Sequence, residues 1–194
     1  MTISQQFATN IVETDFSTLD DTAIERARWR ILDAIGCLVA GANAAGCRAM
    51  LSMVKKWGGA TESTILVHGI KSPAFHAAMV NSLMTRSFDF EPVDAEGENR
   101  SSPAHISGTT VPTALAMGEY KAIGGKELIT ALVLGDDISS RLGVASGFDF
   151  ELGWDNTGTI NEFGATAIAG KLLGLNAKQM QTVKKTKSAL TMFA

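Results

Sequence analysis

Between Thr22 and Gly41 the apolar residues Ile24, Ala27, Ile31, Ala34, Ile35 and Leu38 recur at three- and four-residue intervals. That interval follows the turn of an α-helix and puts all six on one stripe, whereas a strand would scatter them over both faces. Thr22-Ala23-Ile24-Glu25 reads as a capping box that satisfies two free backbone donors at the start. Gly41 offers a stop. The pattern predicts a helix over residues 20–41 that must bury its stripe against other helices.

The same rhythm returns along the chain. Met50, Leu51, Val54 and Trp57 mark a helix over 47–57, ended by Gly58-Gly59. Ser72-Pro73 opens another, with serine as cap and proline at the first position, and Phe75, Met79, Val80 and Leu83 inward. Pro112 starts one that runs to about Ala122, where Gly124-Gly125 breaks it. Residues 126–142 follow, with an Asp137–Arg141 surface pair four apart. Small residues over 159–173 imply close helix–helix approach, and a last helix begins at Asn176. Only Thr61 to His68 has strand character, which suits one hairpin. The expected fold is an all-α multi-helix bundle with one short β-hairpin, residues 1–194 forming a single helical domain.

Charge and cysteines narrow the function. The net charge is −3 and no basic stripe occurs, so a nucleic-acid or anionic-membrane partner is not expected. Lys184, Lys185 and Lys187 read as one exposed helix face. No apolar run approaches the ~18 residues that span a bilayer, and the first ten residues lack signal-peptide character. Cys37 falls in an apolar helical run and Cys47 lies ten residues on, a spacing that fits neither zinc nor redox chemistry. A cytoplasmic setting is the expectation.

No phosphate loop, dinucleotide fingerprint, zinc-protease helix or serine elbow is present. His68 and His76 are separated by a turn and a helix start and predict no metal site. What remains is the polar loop over 86–107. Asp89, Glu91, Asp94, Glu96 and Glu98 crowd it, with Arg100 and His105 after them. Asp89 and His105 can supply a base and an acid for proton transfer, although an acidic loop that is merely solvated has the same composition. A second polar patch, Gly153-Trp154-Asp155-Asn156-Thr157-Gly158-Thr159, precedes a helix. Its backbone donors suit a carboxylate, and a turn with a threonine cap reads equally well from the pattern.

Several segments in order resemble the MmgE/PrpD family, which includes 2-methylcitrate dehydratase, cis-aconitate decarboxylase and iminodisuccinate epimerase. They are Leu32-Asp33-Ala34-Ile35-Gly36-Cys37 with Ala40-Gly41, Ser87-Phe88-Asp89-Phe90, Ala104-His105-Ile106-Ser107-Gly108 and Pro112-Thr113-Ala114-Leu115-Ala116. Leu134-Gly135, Arg141-Leu142, the Gly153–Thr159 patch and Phe163-Gly164-Ala165 through Leu175 complete the likeness, over about residues 5 to 180.

The resemblance implies a helical domain, a smaller α/β lid and a site between them. It also implies a dimer, no redox cofactor or iron–sulfur cluster, no metal, and a small polycarboxylate substrate. Asp89 then matches the family's acid–base aspartate and His105 its histidine. Arg86, Glu91, Asp155, Asn156 and Thr157 are the candidate substrate-binding residues. Asp155 stands where the family has a second histidine, and Glu91-Pro92 replaces an Asp-Asp pair. The 194 residues correspond to the family's N-terminal helical part, so the expectation is a lid-less chain with little or no activity alone. A non-catalytic helical dimerisation or binding module is the alternative.

Overall fold

The computed structural model describes residues 1–96, 101–147 and 155–190. Eight helices lie among them: α1 (Ile3–Glu13), α2 (Asp21–Gly41), α3 (Cys47–Trp57), α4 (Ala74–Arg86), α5 (Ser107–Lys121), α6 (Gly125–Ser146), α7 (Asn156–Leu172) and α8 (Ala177–Leu190). A hairpin of β1 (Ser63–Ile65) and β2 (Ile70–Ser72) separates α3 from α4, with Ser63 opposite Ser72. The helical bundle with a small hairpin is therefore as the periodicity implies. One more antiparallel pair, β3 (Asp94–Glu96) with β4 (Ser101–Ala104), occupies the loop before α5.

Three apolar clusters hold the helices together. Leu38, Leu51, Val54, Ile65, Val80 and Met84 join α2, α3, α4 and the hairpin. Ala27, Ala34, Val111, Leu132 and Ile168 join α2, α5, α6 and α7. Ala8, Ile11, Ile138 and Met180 dock α1 and α8 on the far side. Gly135 and Gly164 bring α6 and α7 together: a Cβ on Gly164 would stand 2.6 Å from the Gly135 carbonyl oxygen. That is the close approach the small residues of 159–173 imply.

The element starts differ from the sequence reading in instructive ways. Asp20, not Thr22, caps α2, its carboxylate accepting from Ala23 N at 2.8 Å. A carboxylate two residues earlier does the same work and adds favourable charge at the helix start. Helix α4 begins at Ala74 rather than Pro73. The Ala74 amide donates to Glu62 Oε2 at 2.9 Å, so a distant side chain replaces the serine cap. Helix α5 begins at Ser107, five residues before Pro112.

Three residues assigned inward by spacing face out. Phe75 is 68% exposed, and Trp57 and Ile35 are also exposed. Periodicity gives the angle of a face but not its width, and these residues sit at the stripe's edge.

Candidate active site

Four side chains converge where α4 ends, the 86–107 loop turns and α5 begins. Arg86 lies in the last turn of α4. Asp89 follows in a left-handed backbone conformation, φ 53°, with its amide donating to Arg86 O at 3.3 Å. That tight turn doubles the chain back so that Glu91 is carried into the interior. Arg86 Nη1 lies 2.8 Å from Asp89 Oδ1 and 2.6 Å from Glu91 Oε1. His105 Nδ1 lies 3.6 Å from the same Glu91 oxygen.

Burial separates the two carboxylates. Asp89 is largely in solvent, whereas the Glu91 side chain has no exposed surface. Glu91 Oε2 and His105 Nδ1 are both buried without a hydrogen-bond partner among the described residues. Orphaned buried polar atoms are uncommon in native interiors and call for a reason. Gly108 makes the arrangement possible, because a Cβ there would stand 2.8 Å from Glu91 Oε1. Burial, and the nearby Asp33 and Glu91 carboxylates, push the Cys37 thiol up from its ordinary pKa. Cys37 on α2 thus backs the cluster as an inert thiol.

The second patch supports the first. His105 N donates to Thr157 Oγ1 at 3.1 Å, and Asn161 Nδ2 donates to His105 O at 2.8 Å. Helix α7 therefore clamps the His105 backbone from both sides. Asp155 caps that helix, accepting from Thr157 N at 2.9 Å. Of the donors expected at 155–157, the Thr157 amide is taken by the Asp155 carboxylate, whose charge opposes another anion. The side chain of Asn156, together with Gly153, Trp154, Glu98 and Arg100, lies outside the described residues.

The sequence reading missed Asn161, a polar residue buried on the small-residue face of α7. A lone asparagine inside an otherwise apolar stripe was the available signal. At the hairpin His68 contacts Ala42 O at 3.1 Å; on α4 His76, whose Nδ1 is also buried without a hydrogen-bond partner among the described residues, stacks between Trp57 and Phe75, with no carboxylate recorded beside it. A cavity of about 450 Å³ lies elsewhere, lined by Asp15, Phe16, Lys126 and Lys171 among others. Lys171 is committed there to the carbonyls of Val12 and Thr14, at 2.9 and 2.6 Å, and closes the end of α1.

One oxygen or nitrogen from each of Asp89, Glu91 and His105 lies within 4.8 Å of the others, a spacing a cation would accept. The Arg86 guanidinium already stands between the two carboxylates, so a divalent cation would face a fixed positive charge. The arrangement favours proton transfer instead: an imidazole beside a buried carboxylate whose charge an arginine balances.

Residues 5–184 match the MmgE/PrpD N-terminal domain. The chain belongs to the MmgE/PrpD family. Cis-aconitate decarboxylase of Aspergillus terreus is 27% identical over 183 residues, covering 90% of this chain and 36% of the relative. The human protein of the same name is 25% identical over 182 residues, covering 90% of this chain and 37% of the relative. The chain thus spans little more than a third of the length of these MmgE/PrpD relatives.

Proposed function

We propose that this chain is the helical part of an MmgE/PrpD lyase acting on a small di- or tricarboxylate by acid–base chemistry. Dehydration, decarboxylation and epimerisation all begin or end with a proton moved beside a carboxylate. His105 is the proton-transfer group, and Asp89 is the exposed carboxylate that shares the work or orients substrate. Arg86 and Glu91 set the charge around them. One observation carries the reading: Glu91 Oε2 and His105 Nδ1 are buried without a hydrogen-bond partner among the described residues, in a cluster assembled from both ends of one loop. The relatives named as cis-aconitate decarboxylases support the substrate class. Two free buried cysteines suit a cytoplasmic protein, and among the described residues no helix is long and apolar enough to cross a membrane. A second copy of the chain is the expected partner.

The 194-residue chain by itself has little or no turnover in this reading. A tricarboxylate needs cationic groups for its charge. Arg86 is engaged by two carboxylates of the chain's own, which leaves the cluster close to neutral even with His105 protonated. Purified chain mixed with cis-aconitate or 2-methylcitrate tests both parts. The expected result is no product, together with shifts of the His105 ring resonances at millimolar ligand that vanish in His105→Gln. Measurable turnover would overturn the inactivity, and unmoved His105 resonances would overturn the substrate class.

The alternative, a helical dimerisation or binding module, is favoured by a different observation. Trp29, Leu32 and Val39 project from α2 into solvent.

A further inference from the structure

Each of the two orphaned atoms in the cluster is what the other lacks. Glu91 Oε2 and His105 Nδ1 are both buried without a hydrogen-bond partner among the described residues. A charged carboxylate oxygen can only accept, and Nδ1 can donate only when it carries a proton. Nδ1 stands 3.6 Å from Glu91 Oε1, just beyond hydrogen-bond reach. Oε1 is already held by Arg86 Nη1 at 2.6 Å. The two oxygens share one carbon, so a small turn of the group can keep Oε1 on Arg86 and present Oε2 to Nδ1. One bond then satisfies both orphans.

We propose that Glu91 is a positioning residue for His105. It fixes the neutral ring with its proton on Nδ1, which makes Nε2 the atom that exchanges a proton with substrate. The proposal rests on the acid–base reading above, and its test needs no substrate.

The other tautomer is disfavoured by the burial of the site. With the proton on Nε2, Nδ1 would turn a lone pair toward a carboxylate. Two acceptors would face each other beside a glutamate side chain that has no exposed surface. A histidine left to water prefers the proton on Nε2, so the fold works against the ring's own preference, and the partner of one nitrogen decides the state of the other.

Neither group is free to back away. Thr157 Oγ1 and Asn161 Nδ2 hold the His105 backbone from both sides, at 3.1 and 2.8 Å. Glu91 lies against Gly108, with Arg86 on the same oxygen that faces the ring. Pro92 directly after it restricts the Glu91 backbone to extended conformations. Asp89 is a poor substitute, because its carboxylate is 67% exposed and water competes for its oxygens.

The exposure of the ring agrees with this assignment. His105 keeps 19% of its side-chain surface while Nδ1 has almost none, so the open edge lies away from Nδ1. A substrate reaches the ring from that edge. Its proton goes to the Nε2 lone pair, and the ring becomes an imidazolium whose Nδ1–H faces the Glu91 carboxylate. Returning the proton through Nε2 restores the starting tautomer.

The test is nitrogen NMR on the 194-residue chain with isotope-labelled histidine rings, at about pH 9, where an ordinary histidine is neutral. His105→Gln identifies the ring by the loss of its signals. Chemical shifts and ring couplings show which nitrogen carries the proton. The expected result is Nδ1–H at His105, in excess by roughly tenfold or more, as a hydrogen bond to a charged group is worth. Glu91→Gln should reverse it. The one carboxamide oxygen goes to Arg86, the charged donor, and the amide N–H then faces Nδ1, which must be the bare nitrogen. Asp89→Asn keeps a residue that tolerates the left-handed backbone and should leave Nδ1–H in place.

A merely structural Glu91 would lower stability when changed to glutamine and leave the tautomer alone, and that result overturns its positioning role. Nε2–H in the wild-type ring overturns the proposal whatever the variants do. Inversion in Asp89→Asn moves the role to Asp89 and overturns it as well. The acid–base reading fails separately: the His105 resonances would then ignore cis-aconitate and 2-methylcitrate while the ring still shows Nδ1–H.

Discussion

Two glutamates of this chain meet a cation and a neighbouring side chain in contrasting ways. Glu119, on α5, accepts from the Thr64 amide and hydroxyl at 2.6 and 2.7 Å and from Lys71, pinning the hairpin to the bundle. Glu91 is fully buried, with one oxygen on Arg86 and the other without a partner among the described residues. The first glutamate is satisfied, wet and structural. The second carries an acceptor that no described residue meets, on a side chain with no exposed surface. A buried carboxylate held by a single cation costs stability that a purely structural site would not spend, which is why the cluster at His105 reads as chemistry.

That contrast breaks most sharply at Arg86. Arg86→Met takes the guanidinium away from the buried Glu91 and should cost about 3 kcal/mol in urea unfolding. A loss no larger than that of a surface substitution would mean that water reaches Glu91, and the two glutamates would then be of one kind. Gly108→Ala comes next. Its methyl would press on Arg86 and Glu91, so a cost of about 1–2 kcal/mol is expected, with altered His105 ring resonances.

Thr157→Ala should cost about 1 kcal/mol, because the half-buried His105 amide loses its acceptor. It should move the same resonances while leaving those of α3 unchanged. Glu119→Gln should be the mildest, under about 1 kcal/mol for an exposed ion pair. Burial pushes the Glu119 carboxyl up, but hydrogen bonds from Lys71 and Thr64 outweigh that and hold it below the ordinary glutamate value. A depressed carboxyl contributes its stabilisation fully above the ordinary value and loses it as pH falls through the folded one. Glu119→Gln should therefore lower stability slightly near neutral pH, leave the acid end unchanged and so flatten the acid limb of the stability profile, as thermal melts from pH 3 to 7 would show.

The helices were legible because an apolar stripe is a local pattern. Residues 24 to 38 needed only their own spacing to announce α2. The caps were less so: Asp20 competes with Thr22 within one turn, and Glu62 reaches Ala74 only after the hairpin folds back. At the site, Asp89 and His105 were visible as residue types on one loop. Their actual neighbours were not, since Glu91 enters the interior only through the reversed backbone at Asp89. Asn161 meets His105 only because α7 packs on α5. The 155–157 patch was only half legible for a related reason. Its sequence shows donors, and only the folded cap shows that Asp155 has already taken one.

Asp89 also constrains how this loop can drift over generations. Its left-handed backbone tolerates glycine, asparagine or aspartate and costs other side chains roughly 1–2 kcal/mol. Its carboxylate grips Arg86, which rules out glycine and asparagine as equals. Every single substitution at this position therefore gives up either the turn or the grip. A lineage that moved the carboxylate elsewhere would have to rebuild the turn first, passing through a form in which Glu91 is no longer led to His105.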